Sequence, residues 1–139
     1  MFEYMDPIAS VHQADQHDAW QRETIRQHGW ALHAVPGDED GPPFVYTVGL
    51  SGFRHPELIL FATAPAVSAA VLNDLGGLVR RGHVLSPCER IRLRSGDVHL
   101  LTFPESADWL FAANDLYQLP GGIPVPALLV VPADELVPV

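Results

Sequence analysis

The stretch PFVYTVGLSGFRHPE, residues 43–57, decides the fold because it joins the end of one strand to the start of the next. Residues 44–50 are rich in β-branched and aromatic side chains, which favour strands. The segment ELILFA (57–62) is almost wholly apolar, which is typical of a strand that is covered on both faces. Between them lies a loop with two glycines, an arginine and a histidine that precedes a proline. The stretch therefore predicts two strands of one sheet, the second of them central.

Four other segments predict strands because each places β-branched or alternating apolar residues between turn signals. They are WALHAV (30–35), ERIRLRS (89–95), VHLLTF (98–103) and PALLVV (126–131). The first is expected to form a hairpin with 44–50 across a long acidic loop. The second and third are expected to form a hairpin that turns at Ser95-Gly96-Asp97.

Three segments predict helices. Residues 10–28 are polar and free of glycine and proline, and Gly29 follows as a C-terminal cap. A second helix is expected between Thr63, as N-cap, and Gly82. Its apolar stripe has spacings of three and four and consists of Val67, Ala70, Val71, Leu75, Leu78 and Val79, interrupted by Gly76-Gly77, a pair that indicates close packing or a kink. The third helix is predicted over 106–119, with Ser106 as N-cap.

Short strands separated by helices, without regular βαβ alternation, indicate an α+β fold. We expect a mixed, mainly antiparallel sheet of about six strands, with two to three helices packed on it, on one face. A length of 139 residues suits a single domain. Within it the sequence predicts a loose leader over 1–9, an outer helix over 10–28 and a core over 29–132.

The charge balance excludes several classes of function. Seventeen acidic residues against eight basic residues, all arginine, give a net charge of −9. Nucleic acids and anionic lipids both require a basic face, so we expect no nucleic-acid and no membrane partner, although a local arginine cluster can still bind a small anion. No signal peptide or spanning segment is visible and the single Cys88 has no disulfide partner, which favours a cytoplasmic protein. The absence of lysine, with many prolines, glycines and alanines, suggests a bacterial source.

The loop that follows residue 48 contains the residue types of a functional site. Histidine titrates near neutrality, arginine holds a carboxylate or phosphate through two parallel bonds, and glycines let a ligand approach the backbone closely. The catalytic candidates are His55, Arg54, Tyr46 and Glu57, and the ligand-binding candidates are Thr47, Gly49, Ser51 and Gly52. The alternative is a structural turn, in which the glycines only permit positive φ and Pro56 only keeps its predecessor extended. Both interpretations stay open at this stage.

Other chemistries have weaker support. Seven histidines raise the question of a metal, but none has HExxH spacing, so a site would require His33, His55 and His99 to meet in three dimensions. Ser51 lies in GLSGF, which lacks the last glycine of a GxSxG motif and is followed by Pro56 and a strand rather than a helix. Cys88 is near Arg90, which favours a thiolate, yet a lone cysteine is usually incidental. The sequence therefore predicts no metal and identifies no cofactor.

Several segments in their order along the chain resemble a bacterial family known as domain-of-unknown-function family 4262. They are GWALHAVPGDEDGPPFVYTVGL, HPELILF, the alanine- and leucine-rich helix with VLNDL, and PALLVV, which together cover about residues 28–132. The chain departs from the family's pattern after the last strand, where it ends in PADELVPV. The resemblance implies a small bacterial domain and supplies no catalytic residue or cofactor.

Three functional hypotheses follow from the residues. The first is that the domain binds a small molecule or a peptide in a cleft bordered by the 49–57 loop. The second is an enzyme in which His55 acts as general acid or base, with Arg54 or Tyr46 holding an oxyanion. The third is a non-catalytic interaction or accessory protein, expected as a homodimer that uses the polar first helix and Trp20.

Overall fold

The fold is a six-stranded sheet with helices packed against it, seen in a computed structural model that describes residues 7–117 and 119–133. Side chains of the first helix are described from residue 16 onward. The strands are β1 (Ala31–Val35), β2 (Phe44–Val48), β3 (Glu57–Phe61), β4 (Arg90–Leu93), β5 (Gly96–Thr102) and β6 (Ala127–Pro132). Their order in the sheet is β1-β2-β3-β6-β5-β4, and every neighbouring pair is antiparallel except β3 and β6. The predicted α+β class and the central position of β3 are confirmed.

The helices are α1 (Pro7–His28), α2 (Pro65–Arg80), α3 (Ser106–Trp109) and α4 (Phe111–Tyr117), with short 3₁₀ helices at Leu50–Phe53 and Pro120–Gly122. Helix α1 begins before the predicted residue 10, so residues 7–9 of the expected leader are helical. Residues 1–6 of that leader lie outside the described part of the chain. Among the described residues, no helix combines the length and the apolar character needed to cross a bilayer.

Both faces of the sheet carry helices, so the prediction of helices on one face is wrong. Helix α2 packs on one face, where it buries Val71, Leu72, Leu75 and Val79 against strand residues that include Val45, Leu58 and Leu60. Helices α1 and α4 cover the other face, where Ile25, Leu110 and Ala113 pack on Tyr46, Val48 and Ile59. The reason is the alternation of side chains along β2 and β3, because central strands with apolar residues on both faces must be covered twice.

The ends of two helices also differ from prediction. Thr63 is not the cap of α2, because its hydroxyl donates to the Phe61 carbonyl and Ala64 stands at the N-cap position. Ser106 is the first residue of α3 rather than its cap, and its buried hydroxyl donates to the Val125 carbonyl at 2.6 Å. The predicted helix over 106–119 is broken at Leu110, whose ψ of 63° separates α3 from α4. The Thr63 hydroxyl is thus used by a carbonyl two residues before it, and the Ser106 hydroxyl by a tertiary contact.

The glycine pair in α2 serves close packing. A Cβ built on Gly76 would lie 2.6 Å from Cε2 of Trp30, so the helix and the indole meet without room for a methyl group. The Trp30 Nε1–H donates to Oδ1 of Asn73 at 2.9 Å, which fixes the ring over the helix. A Cβ built on Gly77 meets only the end of the Arg81 side chain, at 3.4 Å. One of the two glycines is therefore required by packing and the other is not.

We predict that alanine substitutions at these neighbouring glycines change stability in opposite directions. Gly77→Ala should raise the free energy of unfolding by up to about 1 kcal/mol, because alanine is the better helix former. Gly76→Ala should lower it by about 1–3 kcal/mol, because overpacking against Trp30 outweighs that gain. Urea titrations of both variants measure the difference, and a gain at both positions would contradict the packing explanation.

Candidate functional site

Glu57, the first residue of β3, is fully buried and organises the loop before it. Its carboxylate accepts hydrogen bonds from five donors. These are the backbone N–H groups of Gly49 (3.1 Å), Leu50 (3.1 Å) and Ser51 (3.0 Å) and the hydroxyls of Thr47 (2.8 Å) and Ser51 (2.7 Å). The Thr47 hydroxyl also accepts from the backbone N–H of Leu58 at 2.9 Å. The carboxylate thus joins the end of β2, the loop and the start of β3 into one unit.

The three N–H groups come from the first turn of the 3₁₀ helix Leu50–Phe53, where backbone donors have no partner within the helix. Gly49 precedes that helix with φ of 135°, and a Cβ there would lie 2.5 Å from the Gly29 carbonyl oxygen. Only glycine fits this position, because it meets both a positive φ and a close backbone approach. Glu57 therefore caps a helix that the sequence analysis read only as a loop.

Burial raises the pKa of the Glu57 carboxyl group above its usual value. The hydrogen bonds from Ser51, Thr47 and Gly49 act in the opposite direction, because they stabilise the charged carboxylate. Glu57 was predicted as a catalytic candidate, and the structure places it below the surface with all its acceptors used. We interpret it as the positioning group of the loop.

His55 is buried, and both of its ring nitrogens contact the backbone. Nδ1 lies 2.8 Å from the carbonyl oxygen of Pro56, and Nε2 lies 2.9 Å from the backbone nitrogen of Leu85. Since an N–H can only donate, Nε2 accepts from Leu85 and the proton of the neutral ring is on Nδ1. A general acid or base at this position would first have to release Leu85. The geometry therefore favours a tethering role for His55.

Arg54 has an uncommon backbone conformation. It ends the 3₁₀ helix in the left-handed region, with φ of 60° and ψ of 40°, and its N–H donates to the Ser51 carbonyl at 3.0 Å. Glycine or asparagine usually takes such a position, because a β-carbon is strained there. The side chain is exposed and has no ion pair among the described residues. The chain thus keeps a free guanidinium group where glycine would fit better.

A cavity of about 400 Å³ lies beside this loop. Ser51, Arg54, His55 and Pro56 form one side of it, and Tyr117, Leu119, Val125 and Pro126 form the other. The second group was missed by the sequence analysis. Tyr117 is the last residue of α4, and the other three follow it in irregular chain, more than 60 positions from the loop. The local signal was the proline- and glycine-rich composition of 120–126.

The remaining candidates divide between this cavity and other parts of the fold. Thr47, Gly49 and Ser51 gather around Glu57, and a Cβ on Gly52 would lie 3.8 Å from the Tyr117 hydroxyl. Tyr46 lies deeper under α4, where its hydroxyl accepts from the Ala112 N–H at 3.1 Å. Burial is the main cause that raises the pKa of Tyr46 and that of Tyr117, so both phenols stay protonated near neutral pH.

The three candidate metal ligands each have other surroundings. His33 stacks on Tyr46 and shares a hydrogen bond with Gln21, and burial, with a smaller contribution from His17, lowers its pKa. His55 contacts Leu85, as described above, and His99 lies on β5 opposite Arg90 and Val131. Among the side chains that the structure describes, from residue 16 onward, no group of three histidine, cysteine or acidic residues has an arrangement that could hold a metal ion.

Two further candidates are at the surface. Cys88 is exposed, and its backbone N–H donates to the Leu100 carbonyl at 2.7 Å. Trp20, which was expected at a partner contact, is 47% exposed on α1. Neither residue lies among those that line the cavity beside Arg54.

We predict that Glu57→Gln destabilises the fold by about 3 kcal/mol near neutral pH, because the amide nitrogen must face backbone N–H groups and leave them unpaired. Ser51→Ala is the matched control. It removes one hydroxyl and keeps the backbone donor, so it should cost only about 1 kcal/mol. Urea unfolding of both variants tests this order, and equal losses would show that the carboxylate is not the organising group.

The raised pKa of Glu57 also predicts how stability depends on pH. An unfolded glutamate ionises near about pH 4.3, whereas the folded protein keeps the proton to a higher pH. The unfolded state then binds fewer protons in this window, so stability falls as pH rises, by at most about 1.4 kcal/mol per pH unit. The advantage of the wild type over Glu57→Gln should be largest near pH 4 and should shrink above it. An advantage that instead grows with pH would mean that the five donors hold the pKa down.

The comparisons with known proteins agree with the resemblance seen in the sequence. No curated protein and no solved structure matches the chain. One family model matches residues 24–136, from the last turn of α1 to beyond β6. That range includes every strand of the sheet and all the residues around Glu57 and the cavity. The chain therefore belongs to the family described as domain of unknown function (DUF4262).

Proposed function

We propose that this domain binds a small molecule or the end of a peptide in the cavity beside the 49–57 loop, and that Arg54 holds a carboxylate or phosphate group of that ligand. The observation that carries the proposal is the left-handed conformation of Arg54 at the edge of a cavity of about 400 Å³. Non-glycine residues in this region cluster at functional sites, where the use of the side chain offsets the strain. The volume is within the usual range for ligand sites.

The walls of the cavity fit a ligand with an apolar body and one anionic group. Leu119, Val125 and Pro126 supply apolar surface. The protonated Tyr117 hydroxyl can donate a hydrogen bond to the same anionic group that Arg54 binds. The Ser51 hydroxyl donates inward to Glu57, so its lone pairs can accept from a polar group of the ligand.

Another cavity of about 400 Å³, between α1 and α2, has less support as a binding site. Two of its polar side chains, Trp30 and Arg80, already have partners inside the protein. Trp30 donates to Asn73, and the Arg80 guanidinium donates to the His28 carbonyl at 3.1 Å. A ligand there would have to break these bonds, whereas the guanidinium of Arg54 has no ion pair within the described residues.

Binding is favoured over catalysis at this site. The N–H groups of residues 49–51, which could otherwise stabilise an oxyanion, all donate to Glu57. Both ring nitrogens of His55 are occupied by backbone groups. The polar side chains left for a ligand are Arg54, Tyr117 and one side of Ser51, a set suited to recognition.

We predict that Arg54→Gly abolishes binding without loss of stability. Glycine accepts the left-handed conformation, so the free energy of unfolding should stay equal or rise by up to about 1 kcal/mol. Phenylacetate and N-acetylphenylalanine, at millimolar concentration, should raise the melting temperature of the wild type, and their neutral amides should raise it much less. Both shifts should disappear in the variant.

The matched control is Cys88→Gly. Cys88 also has a left-handed backbone, with φ of 69°, and is remote from the cavity lining. That variant should share any gain in stability and keep the shifts produced by the carboxylates. Equal shifts in the wild type and in Arg54→Gly, or no shift with either carboxylate, would refute the proposal.

A further inference from the structure

The arginines of this acidic chain are unevenly distributed. Five of the eight fall within residues 80–94, although the chain as a whole has a net charge of −9. They are Arg80, Arg81, Arg90, Arg92 and Arg94. Two of them are on β4, the strand at one edge of the sheet. Arg80 donates to the His28 carbonyl beside β1, at the other edge of the sheet, so the basic character of the β4 edge rests on Arg90 and Arg92.

The backbone of β4 has an open side. Strand β4 pairs only with β5, and its hairpin closes on the pair Leu93 and Gly96 across a two-residue turn. The two residues that close such a turn form a hydrogen-bonded pair, and such pairs alternate with non-hydrogen-bonded pairs along the two strands. The backbone groups of Leu93 and Ile91 therefore point toward β5. Arg90 and Arg92 consequently direct theirs away from the sheet. Among the described residues, neither backbone nitrogen has a partner outside the strand ladder.

An apolar groove runs beside this open edge. It has a volume of about 300 Å³ and lies between the end of α2 and β4. Leu78, Val84, Leu85 and Ile91 contribute its apolar walls, and the polar residues that border it are His83, Glu89, Arg90 and Arg92. Val84 is 75% exposed, the largest exposure among the large apolar side chains that the structure describes. The groove can take the side chains on one face of an added strand.

The arginine side chains leave β4 on the face opposite to Ile91 and Leu93. Ile91 and Leu93 pack toward α2, so the alternation of the strand places Arg90 and Arg92 on the other face. The two guanidinium groups share a single carboxylate, that of Asp97, at 3.3 Å and 4.0 Å. Because two cations share one anion, the face keeps a net positive charge.

We propose that the open edge of β4 binds an extended acidic peptide segment by strand addition, with alternating apolar and acidic side chains. The peptide backbone would pair with the outward groups of Arg90 and Arg92. Its apolar side chains would enter the groove beside Ile91, and its acidic side chains would contact the two guanidinium groups. This proposal is independent of the ligand cavity at Arg54, because the two sites share no lining residue.

The charges at the β4 edge indicate which kind of partner it can bind. A second copy of the chain, pairing β4 with β4, would bring the same arginines opposite one another, and like charges across a strand pair are destabilising. A nucleic acid would meet the net charge of −9 and could not use the backbone groups of the edge as a strand does. An acidic peptide satisfies both the charges and the backbone groups.

The test uses the full chain and a fluorescein-labelled peptide of four Glu-Val repeats, capped at both ends. Fluorescence anisotropy at low salt should show saturable binding that weakens as salt is added. Replacing both edge arginines, in Arg90→Glu/Arg92→Glu, should weaken binding at least tenfold. The control Arg22→Glu/Arg26→Glu makes the same change of charge on α1 and should leave the affinity within about twofold, since both arginines are exposed there.

A second probe keeps the proposal falsifiable if the edge variant does not fold. The same peptide, N-methylated at alternate residues, retains its charges and loses the backbone donors of one edge. Two such peptides cover the two edges, and at least one should bind the wild type at least tenfold more weakly. Equal binding of both methylated peptides would overturn strand addition. Tighter binding of an eight-nucleotide single-stranded DNA than of the peptide, or no binding of the peptide, would overturn the acidic-peptide assignment.

Discussion

The fold around the candidate site depends on a single buried carboxylate. Glu57 has no exposed surface, and a charged group in that position is tolerated only when hydrogen bonds replace the water that it loses. Five donors meet this requirement, and they come from Thr47, Gly49, Leu50 and Ser51. Three of the five are backbone N–H groups that would otherwise be unpaired at a helix start. The buried carboxylate thus obtains hydrogen-bond donors, and the backbone N–H groups of the turn obtain an acceptor. Everything that borders the cavity on this side, including the backbone of Arg54, follows from that arrangement.

The sequence could predict the strands because their side-chain patterns are strong. β3 is almost wholly apolar and was correctly expected in the centre of the sheet, and the β4–β5 hairpin was found from its alternation. Its turn was predicted at Ser95-Gly96-Asp97 but is formed by Arg94 and Ser95, because Gly96 and Asp97 already pair with β4. The face of the sheet on which each helix packs was not predictable. An apolar stripe shows which side of a helix is buried, but not which face of the sheet covers it. The caps at Thr63 and Ser106 were wrong for a related reason. Each hydroxyl donates to a carbonyl instead of capping a helix, and for Ser106 that carbonyl is the distant Val125, which local spacing cannot indicate.

The candidate site was found in part, for reasons that differ between residues. The loop was predicted as a candidate site because glycines, an arginine and a histidine follow a segment with a clear strand pattern. Its most consequential residue, Glu57, was expected as a catalytic group, although an acid that opens a wholly apolar strand must be buried and therefore must recruit donors. Val125 and Pro126 were missed, because they reach the site through the parallel pairing of β3 with β6, the strand that follows them. Parallel pairing between distant strands produces no periodic pattern in the sequence.

The chain contains no lysine, and five of its eight arginines illustrate three distinct settings. On α1, Arg22 and Arg26 pair with acids of the same helix and are largely exposed, so they contribute little beyond solubility. Arg54 has a strained backbone and no ion pair within the described residues, and the arginines of β4 share one acid between two. A planar guanidinium binds a carboxylate through two parallel hydrogen bonds, whereas an ammonium group offers a point charge. Arg54 and the arginines of β4, whose pairing is incomplete among the described residues, are therefore the two places where we propose that an anionic group from outside the chain binds.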